Sequence, residues 1–266
     1  MAMQGEPTLK ELFDLTGKVA LVTGGVGWLG SSMSTALAEL GASVIVTSRS
    51  AERAEASAKE LPSPGGARHH GIALDHLEEQ TAFAGFEACV AAAGQIDILV
   101  NNACSLLAKD LSIVTHDEFS GQLLNITGAF TLARLLRDHV VERGVPGNVV
   151  MVSSIYGLVA SYPHVYEGFY ANPVSYQMVK ASLIQMTRHL ATYWAKDLVR
   201  VNCLTPGTFP NPKVPQSVLD GTNAICPMGR IGRPDELKGA VAYLASEASS
   251  YVTGHNLLVD GGWTAV

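Results

Sequence analysis

A tyrosine and a lysine four residues apart mark the most informative stretch of this chain, Ser175-Tyr176-Gln177-Met178-Val179-Lys180. On a helix, positions i and i+4 share a face, so Tyr176 would present a phenol beside the Lys180 ammonium. A cation within about 4 to 6 Å favours a phenolate, and a phenol placed that way can give and take protons. The pair is a candidate proton-transfer device. Alone, the same spacing also fits two solvated residues on a helix surface, so other chemistry-bearing stretches decide.

The second such stretch is Thr23-Gly24-Gly25-Val26-Gly27-Trp28-Leu29-Gly30. It follows the short apolar run Lys18 to Thr23 and precedes Leu29, Met33, Leu37 and Leu40, which recur at helical spacing until Gly41. Ser43 to Val46 then reads as another strand, completing a strand-helix-strand unit within about 30 residues. Glycines let a backbone approach a pyrophosphate and adopt positive φ, and a helix N-terminus offers free N–H groups and a favourable dipole to an anion. The context favours nucleotide binding over an ordinary glycine-rich turn.

The elements that must position these stretches repeat the same pattern. Ile72 to Leu74, Ile96 to Val100, Val149 to Val152, Val199 to Leu204 and Leu257 to Val259 read as strands. Between them lie helical stretches from Ala51 to Leu61, Glu78 to Ala93, Asp117 to Arg143 and Tyr176 to Lys196. In the last of these, Val179, Leu183, Met186, Leu190 and Trp194 form a stripe that faces the core. Strands alternating with helices, with no composition break, predict an α/β doubly wound Rossmann fold: one domain over residues 1–266, a single parallel sheet, and helices on both faces. Residues 1–16 read as a lead-in with a short helix around Leu9 to Phe13. Residues 205–227, with Pro206, Pro210, Pro212 and Pro215, show no period and read as a substrate lid.

Composition narrows the partners. The chain has 266 residues, 47% of them hydrophobic, enough for a substantial core. A formal charge of −6 provides no basic footprint for nucleic acid or an anionic membrane. No apolar run reaches the roughly 20 residues of a membrane span, and the first residues lack the apolar core of a signal peptide, so a cytoplasmic protein is expected. Cys89, Cys104, Cys203 and Cys226 lie in four separate segments, which suggests neither a metal site nor a disulfide framework.

Several motifs in a fixed order resemble the short-chain dehydrogenase/reductase family from Lys18 onward. The family's glycine motif maps to Thr23, Gly24 and Gly30, its adenine-contacting acid to Asp75, and its Asn-Asn-Ala element to Asn101-Asn102-Ala103. Its helix asparagine maps to Asn125, its serine to Ser154, and its tyrosine and lysine to Tyr176 and Lys180. Pro206-Gly207, Arg230-Ile231-Gly232-Arg233-Pro234 and Val259-Asp260-Gly261-Gly262 are further landmarks. The catalytic half and the length are similar to the family's classical branch, whose middle glycine falls on Trp28; Gly24, Gly27 and Gly30 instead fit the spacing of its extended branch. Cys104 stands where the family usually has glycine and reads as packing.

The resemblance implies an enzyme that moves hydride between a nicotinamide cofactor and a carbonyl. Tyr176 would pass the proton, Ser154 would hydrogen-bond the substrate oxygen, Lys180 would hold the ribose, and Asn125 would anchor a water linking Lys180 to solvent. It assigns the cofactor to Gly24, Gly27, Trp28, Leu29, Gly30, Ser48, Arg49, Asp75, His76, Asn102, Ala103, Tyr176, Lys180, Pro206, Gly207 and Thr208. Ser48 occupies the place of the acid that binds the adenosine ribose in NAD-preferring relatives, and the Arg49 guanidinium beside it suits a 2′-phosphate, so NADP is expected over NAD. Ser154 and Tyr176 are 22 positions apart, further than usual in the family, and the inserted residues are rich in Tyr and Phe with His164, Glu167 and Asn172. That insert resembles those of members acting on sugar-like molecules, so the expected reaction is secondary alcohol to ketone on a polyol, sugar or sugar acid. The alternatives are reduction of a 3-oxoacyl thioester or another ketone, and a catalytically weak nucleotide-binding scaffold. A small-molecule substrate is the expected partner, in a homotetramer with Tyr251 to Val266 packed between subunits.

Overall fold

The computed structural model describes residues 5–107, 109–166 and 173–266. After the short helix α1 (Leu9–Phe13), β1 (Val19–Val22) leads into α2 (Trp28–Glu39), β2 (Ser43–Ser48), α3 (Ala51–Lys59), β3 (His70–Ala73), α4 (Glu79–Ala93) and β4 (Ile98–Asn101). The second half runs α5 (His116–Glu142), β5 (Gly147–Val152), α6 (Val174–Trp194), β6 (Val199–Pro206), α7 (Gln216–Ile225), α8 (Lys238–Ala245) and β7 (Asn256–Val259). All strand pairings are parallel, and the sheet order is β3-β2-β1-β4-β5-β6-β7.

The central strands are buried on both faces, which is why they read as continuous apolar runs rather than alternating ones. Val19 and Leu21 join Leu99, Val149 and Met151 in one core with α4, α5 and α6. Ala20 and Val22 join Val44, Val46 and Val100 in the other, against α2 and α8. On α6 the expected stripe faces the first core: Val179, Leu183 and Leu190 are buried, with Met186 and Trp194 packed at its edge. The order in which strands are added reverses between β1 and β4, so the loops leaving their carboxyl ends turn to opposite faces and leave a crevice, the usual ligand position of such sheets. That crevice is held by a small knot. Thr23 Oγ1 accepts the N–H groups of Asn102 and Ala103, each at 2.9 Å, and Asn102 Nδ2 donates to the Thr23 carbonyl at 2.9 Å.

One expectation changes. Residues 205–227 were expected to lack regular structure, yet β6 extends to Pro206 and α7 occupies Gln216–Ile225. The four prolines hide the helix from a periodicity reading, but the last of them, Pro215, sits just before its first residue, where a proline costs nothing. Val218 and Thr222 bury one side of it, and it packs on the turn Pro163–Val165.

The end of β5 is clamped to α6. Ser153 Oγ donates to the Lys180 carbonyl at 2.7 Å, and the 3-10 turn Ile155–Gly157 lies against α6 so closely that a Cβ on Gly157 would stand 2.7 Å from the Lys180 backbone. Gly157→Ala must therefore push the turn and Ser154 away from α6. We expect a loss of about 1 to 3 kcal/mol in stability from the overpacking, and a fall in kcat that exceeds any loss of cofactor affinity. Thermal unfolding together with steady-state kinetics checks this; an alanine variant of unchanged stability and kcat would contradict the clamp.

Candidate active site

A cleft of about 770 Å³ opens at the carboxyl ends of β1, β2, β4 and β5. Along its floor run Gly24, Gly27, Trp28, Leu29 and Gly30; at one end stand Ser48 and Arg49, and Asp75 and His76 form part of its wall. Asn102, Ala103, Tyr176 and Lys180 line it as well. Thus thirteen of the sequence-selected positions converge on one space.

The floor suits a pyrophosphate. Gly27 begins α2 with no side chain bonded to the helix end, and the first turn carries no acid, so its N–H groups and positive dipole end are open to an anion. Gly24 has φ 60, and a Cβ on Gly30 would lie 2.3 Å from the Gly24 carbonyl, so the loop exists only with glycine at both places. Trp28 does not disturb this closure, because Gly27 N–H still donates to Gly24 O at 2.9 Å. Its side chain remains 44% exposed on the cleft wall.

The far end suits a phosphate monoester. No carboxylate ends β2; Ser48 Oγ accepts from Ser50 N–H, and Ser50 Oγ caps α3 at Arg53 N–H. Arg49 is exposed and pairs with no carboxylate among the described residues. Arg53, which the sequence reading does not single out, lines the same cleft. A signal existed: the two are four apart across a serine cap, a spacing that brings both guanidinium groups to one end of a helix.

At the other end of the cleft, Lys180 is 4% exposed, donates from Nζ to Val152 O at 2.8 Å, and lies 5.6 Å from the centre of the Tyr176 ring. Burial alone opposes its charge, but Cys104, Tyr176 and Cys203 outweigh that, and its pKa stands above the ordinary lysine value. An ammonium has three N–H donors, so the Val152 bond leaves two for another partner. Tyr176 packs against Ile155, Tyr156, Cys226 and Trp263. Ser154, 7% exposed, accepts Tyr156 N–H at 3.2 Å, which occupies a lone pair and leaves its own O–H to donate. Cys104, expected as packing, is half-buried on the cleft wall.

Other selected residues lie off the cleft. Asn125 sits behind it, 3% exposed: its Oδ1 accepts Ser105 N–H at 2.7 Å and meets His76 Nε2 at 3.1 Å, and its Nδ2 donates to the Ser105 and Gln122 carbonyls. The side-chain amide's capacity is filled, so Asn125 braces the loops of Ser105 and His76. Burial lowers the His76 pKa, partly offset by the Asn125 bond. Gly207 packs against Asp260, and Thr208 lines a small adjoining cavity with its Oγ1 buried and unpartnered. Pro206, with them, ends β6 rather than lining the cleft. Glu167 and Asn172 lie outside the described residues.

The fold is that of a known group. A family model described as Enoyl-(Acyl carrier protein) reductase matches residues 25–264. The NADP-dependent mannitol dehydrogenase of Alternaria alternata is 34% identical over 262 residues, 96% of this chain and 95% of that one. Among solved structures, a short-chain type dehydrogenase/reductase from Mycobacterium marinum superposes with a TM-score of 0.89 at 30% identity, over 97% of this chain and 100% of that one. A gluconate 5-dehydrogenase from Burkholderia cenocepacia J2315, in complex with NADP and tartrate, gives 0.87 at 29% identity over 97% and 100%. The chain belongs to the short-chain dehydrogenase/reductase family and is an oxidoreductase.

Tyr176→Phe removes one oxygen and keeps the ring that packs against the apolar cluster of Ile155, Tyr156, Cys226 and Trp263. We expect turnover to fall at least 100-fold, the scale of general acid–base help, while cofactor affinity holds within about twofold. Tyr156 is buried, its pKa raised by burial and by Tyr166, which makes it a poor proton donor to a substrate in the cleft. An active Tyr176→Phe protein would refute the assignment.

Proposed function

We propose that the protein interconverts a secondary alcohol and a ketone on a polyol, sugar or sugar acid, with NADP(H) as the hydride carrier. The observation that carries this is the cleft itself: an uncapped helix end over a glycine turn, two arginines without a carboxylate at one end, and Tyr176 with Lys180 at the other. The buried hydroxyls, the open N–H groups and the arginine pair all fit a dinucleotide with a 2′-phosphate. When bound, the nicotinamide supplies or accepts the hydride. Tyr176 delivers the proton to the developing alkoxide in reduction and removes it in oxidation. Ser154 donates its O–H to the same oxygen, a preorganised dipole where negative charge appears. Lys180 offers its two remaining N–H groups to the ribose and keeps positive charge beside Tyr176.

The substrate class rests on the rings around Tyr176 and on the relatives. Tyr156 meets Tyr166 edge-on at 6.1 Å with the two hydroxyls bonded to each other, and exposed Tyr162 meets the buried Trp263 at 5.9 Å, so Tyr162 offers a face and a hydroxyl to a sugar ring. The mannitol dehydrogenase and gluconate 5-dehydrogenase named above act on molecules of this class. Residues 205–227, with α7, close over this end as a lid. No described helix is long and apolar enough to cross a membrane, in keeping with a cytoplasmic enzyme. A homotetramer is supported by apolar side chains exposed on α5 and α6, among them Leu124, Phe130, Met178 and Tyr193, and by the exposed Tyr251 and Val266.

Two arginines should share the 2′-phosphate. Losing a charge-assisted contact costs about 1.5 to 3 kcal/mol, so Arg49→Ala and Arg53→Ala should each weaken NADPH roughly 10-fold or more, and the double variant roughly 100-fold or more. NADH affinity should be unchanged throughout. Cofactor titrations of all four proteins, followed by a turnover screen of polyols, sugar acids, oxoacyl thioesters and cyclic ketones, test the proposal. A wild-type preference for NADH would overturn the cofactor assignment, an inert Arg53→Ala would return the phosphate to Arg49 alone, and turnover confined to thioesters would overturn the substrate class.

A further inference from the structure

His76 joins two walls of the cleft that the sheet alone leaves independent. It lies between β3 and α4, half-buried beside Asp75 on the cleft wall, and its ring reaches across to α5. Two positions of α5 about one turn apart receive it. Asn125 Oδ1 meets His76 Nε2 at 3.1 Å, and Gly128 leaves a notch in which a Cβ would stand 2.0 Å from the His76 carbonyl oxygen and 3.0 Å from its ring Cδ2.

The place of the ring hydrogen follows from the partners. Ser105 N–H donates, so the Asn125 atom it meets is Oδ1, and the carbonyls of Ser105 and Gln122 require Nδ2 on the other side. Oδ1 only accepts, so His76 Nε2 carries the hydrogen. The ring is neutral at pH 7, because burial lowers its pKa and Lys180 and Arg49 add to that, against Asn125 and Asp75. A neutral imidazole has one N–H, and here it is committed to Asn125.

What Asn125 holds in turn is the opposite wall. It bonds both the N–H and the carbonyl of Ser105, and Gln122 Oε1, also on α5, accepts Leu107 N–H at 3.1 Å. Cys104, Ser105 and Leu106 line the cleft, and Cys104 stands close enough to Lys180 to favour its charge. This wall thus hangs on one face of α5, and His76 sets where that face stands. We propose that His76 is a positioning residue, whose Nε2–H bond to Asn125 keeps the wall of Cys104, Ser105 and Leu106 closed beside Lys180 and Tyr176. Its bearing on turnover rests on the function proposed above; the closure of the wall does not.

Cys104 supplies the reporter, since it alone of the four cysteines is not buried. Alkylation of Cys104 by iodoacetamide in the full chain, followed by mass spectrometry without nucleotide, compares wild type with His76→Gln and His76→Asn. Glutamine carries its amide nitrogen as many bonds from Cα as the imidazole carries Nε2, whereas asparagine reproduces only the Nδ1 place. His76→Asn should label roughly 3- to 12-fold faster than wild type, the worth of one hydrogen bond, and His76→Gln within about twofold of it. With NADPH and an acceptor found by the turnover screen, single-turnover hydride transfer should slow by a similar factor in His76→Asn and recover in His76→Gln, at unchanged amplitude. Nitrogen NMR of the wild type should show the Nε2–H tautomer for His76, its signal identified by its loss in His76→Gln, a measurement that serves even if His76→Asn does not fold. Equal labelling of all three proteins, a glutamine variant that labels like the asparagine one, an Nδ1–H tautomer, or unslowed hydride transfer in a fast-labelling variant would overturn the proposal. Labelling needs neither nucleotide nor substrate, so a protein that turns over no carbonyl counts against the proposed function alone.

Discussion

A charged ammonium buried at 4% exposure, with one carbonyl at 2.8 Å, is the constraint around which this molecule is arranged. Burying a cation costs several kcal/mol unless fixed dipoles replace its water, and here Val152 O at the end of β5 does part of that. The rest falls to Cys104, Tyr176 and Cys203, which favour the charged form. Because the ammonium sits between a strand end and a helix, anything that separates β5 from α6 exposes the charge and disperses the site together. The Ser153–Lys180 hydrogen bond and the close seat of Gly157 follow from that requirement.

The same economy of position recurs along the cleft. Parallel strands end at one edge, so each loop there delivers a different group to a shared space: glycines and a helix dipole from β1, arginines from β2, an acid and a histidine from β3, amides from β4. Groups suited to an anion thus collect at one end and Tyr176 with Lys180 at the other, with the Thr23–Asn102 knot holding the two halves in register. Asn125 lies behind, tying the His76 loop to the Ser105 loop, and Gly128 lets α5 approach so near that a Cβ there would stand 2.0 Å from His76 O.

What was legible in the sequence was local. Tyr176 and Lys180 could be found because helical spacing puts them side by side whatever surrounds them, and the glycine turn because only glycine permits its backbone. The alternation of strands and helices, and with it the sheet, followed from apolar runs that both faces bury. What was hidden depends on the rest of the chain. Helix α7 was masked by prolines that stop short of it, Arg53 acquires meaning only when α3 swings it to the cleft, and the partners of Asn125 come from loops twenty and forty-nine positions away. Pro206 ends β6 two residues beyond the expected strand, and Gly207 after it packs against Asp260, a contact no local pattern announces.

The account stands or falls on Lys180 as the buried cation that makes Tyr176 work. Its most direct test is single-turnover oxidation of bound NADPH by Lys180→Met, which keeps the length and apolar stem of the side chain and removes the charge. With an acceptor found by the turnover screen, the account predicts a rate at least 100-fold below wild type at pH 7 in a protein of near-native circular dichroism, with NADPH affinity reduced as well. A folded Lys180→Met enzyme that turns over at the wild-type rate would contradict it.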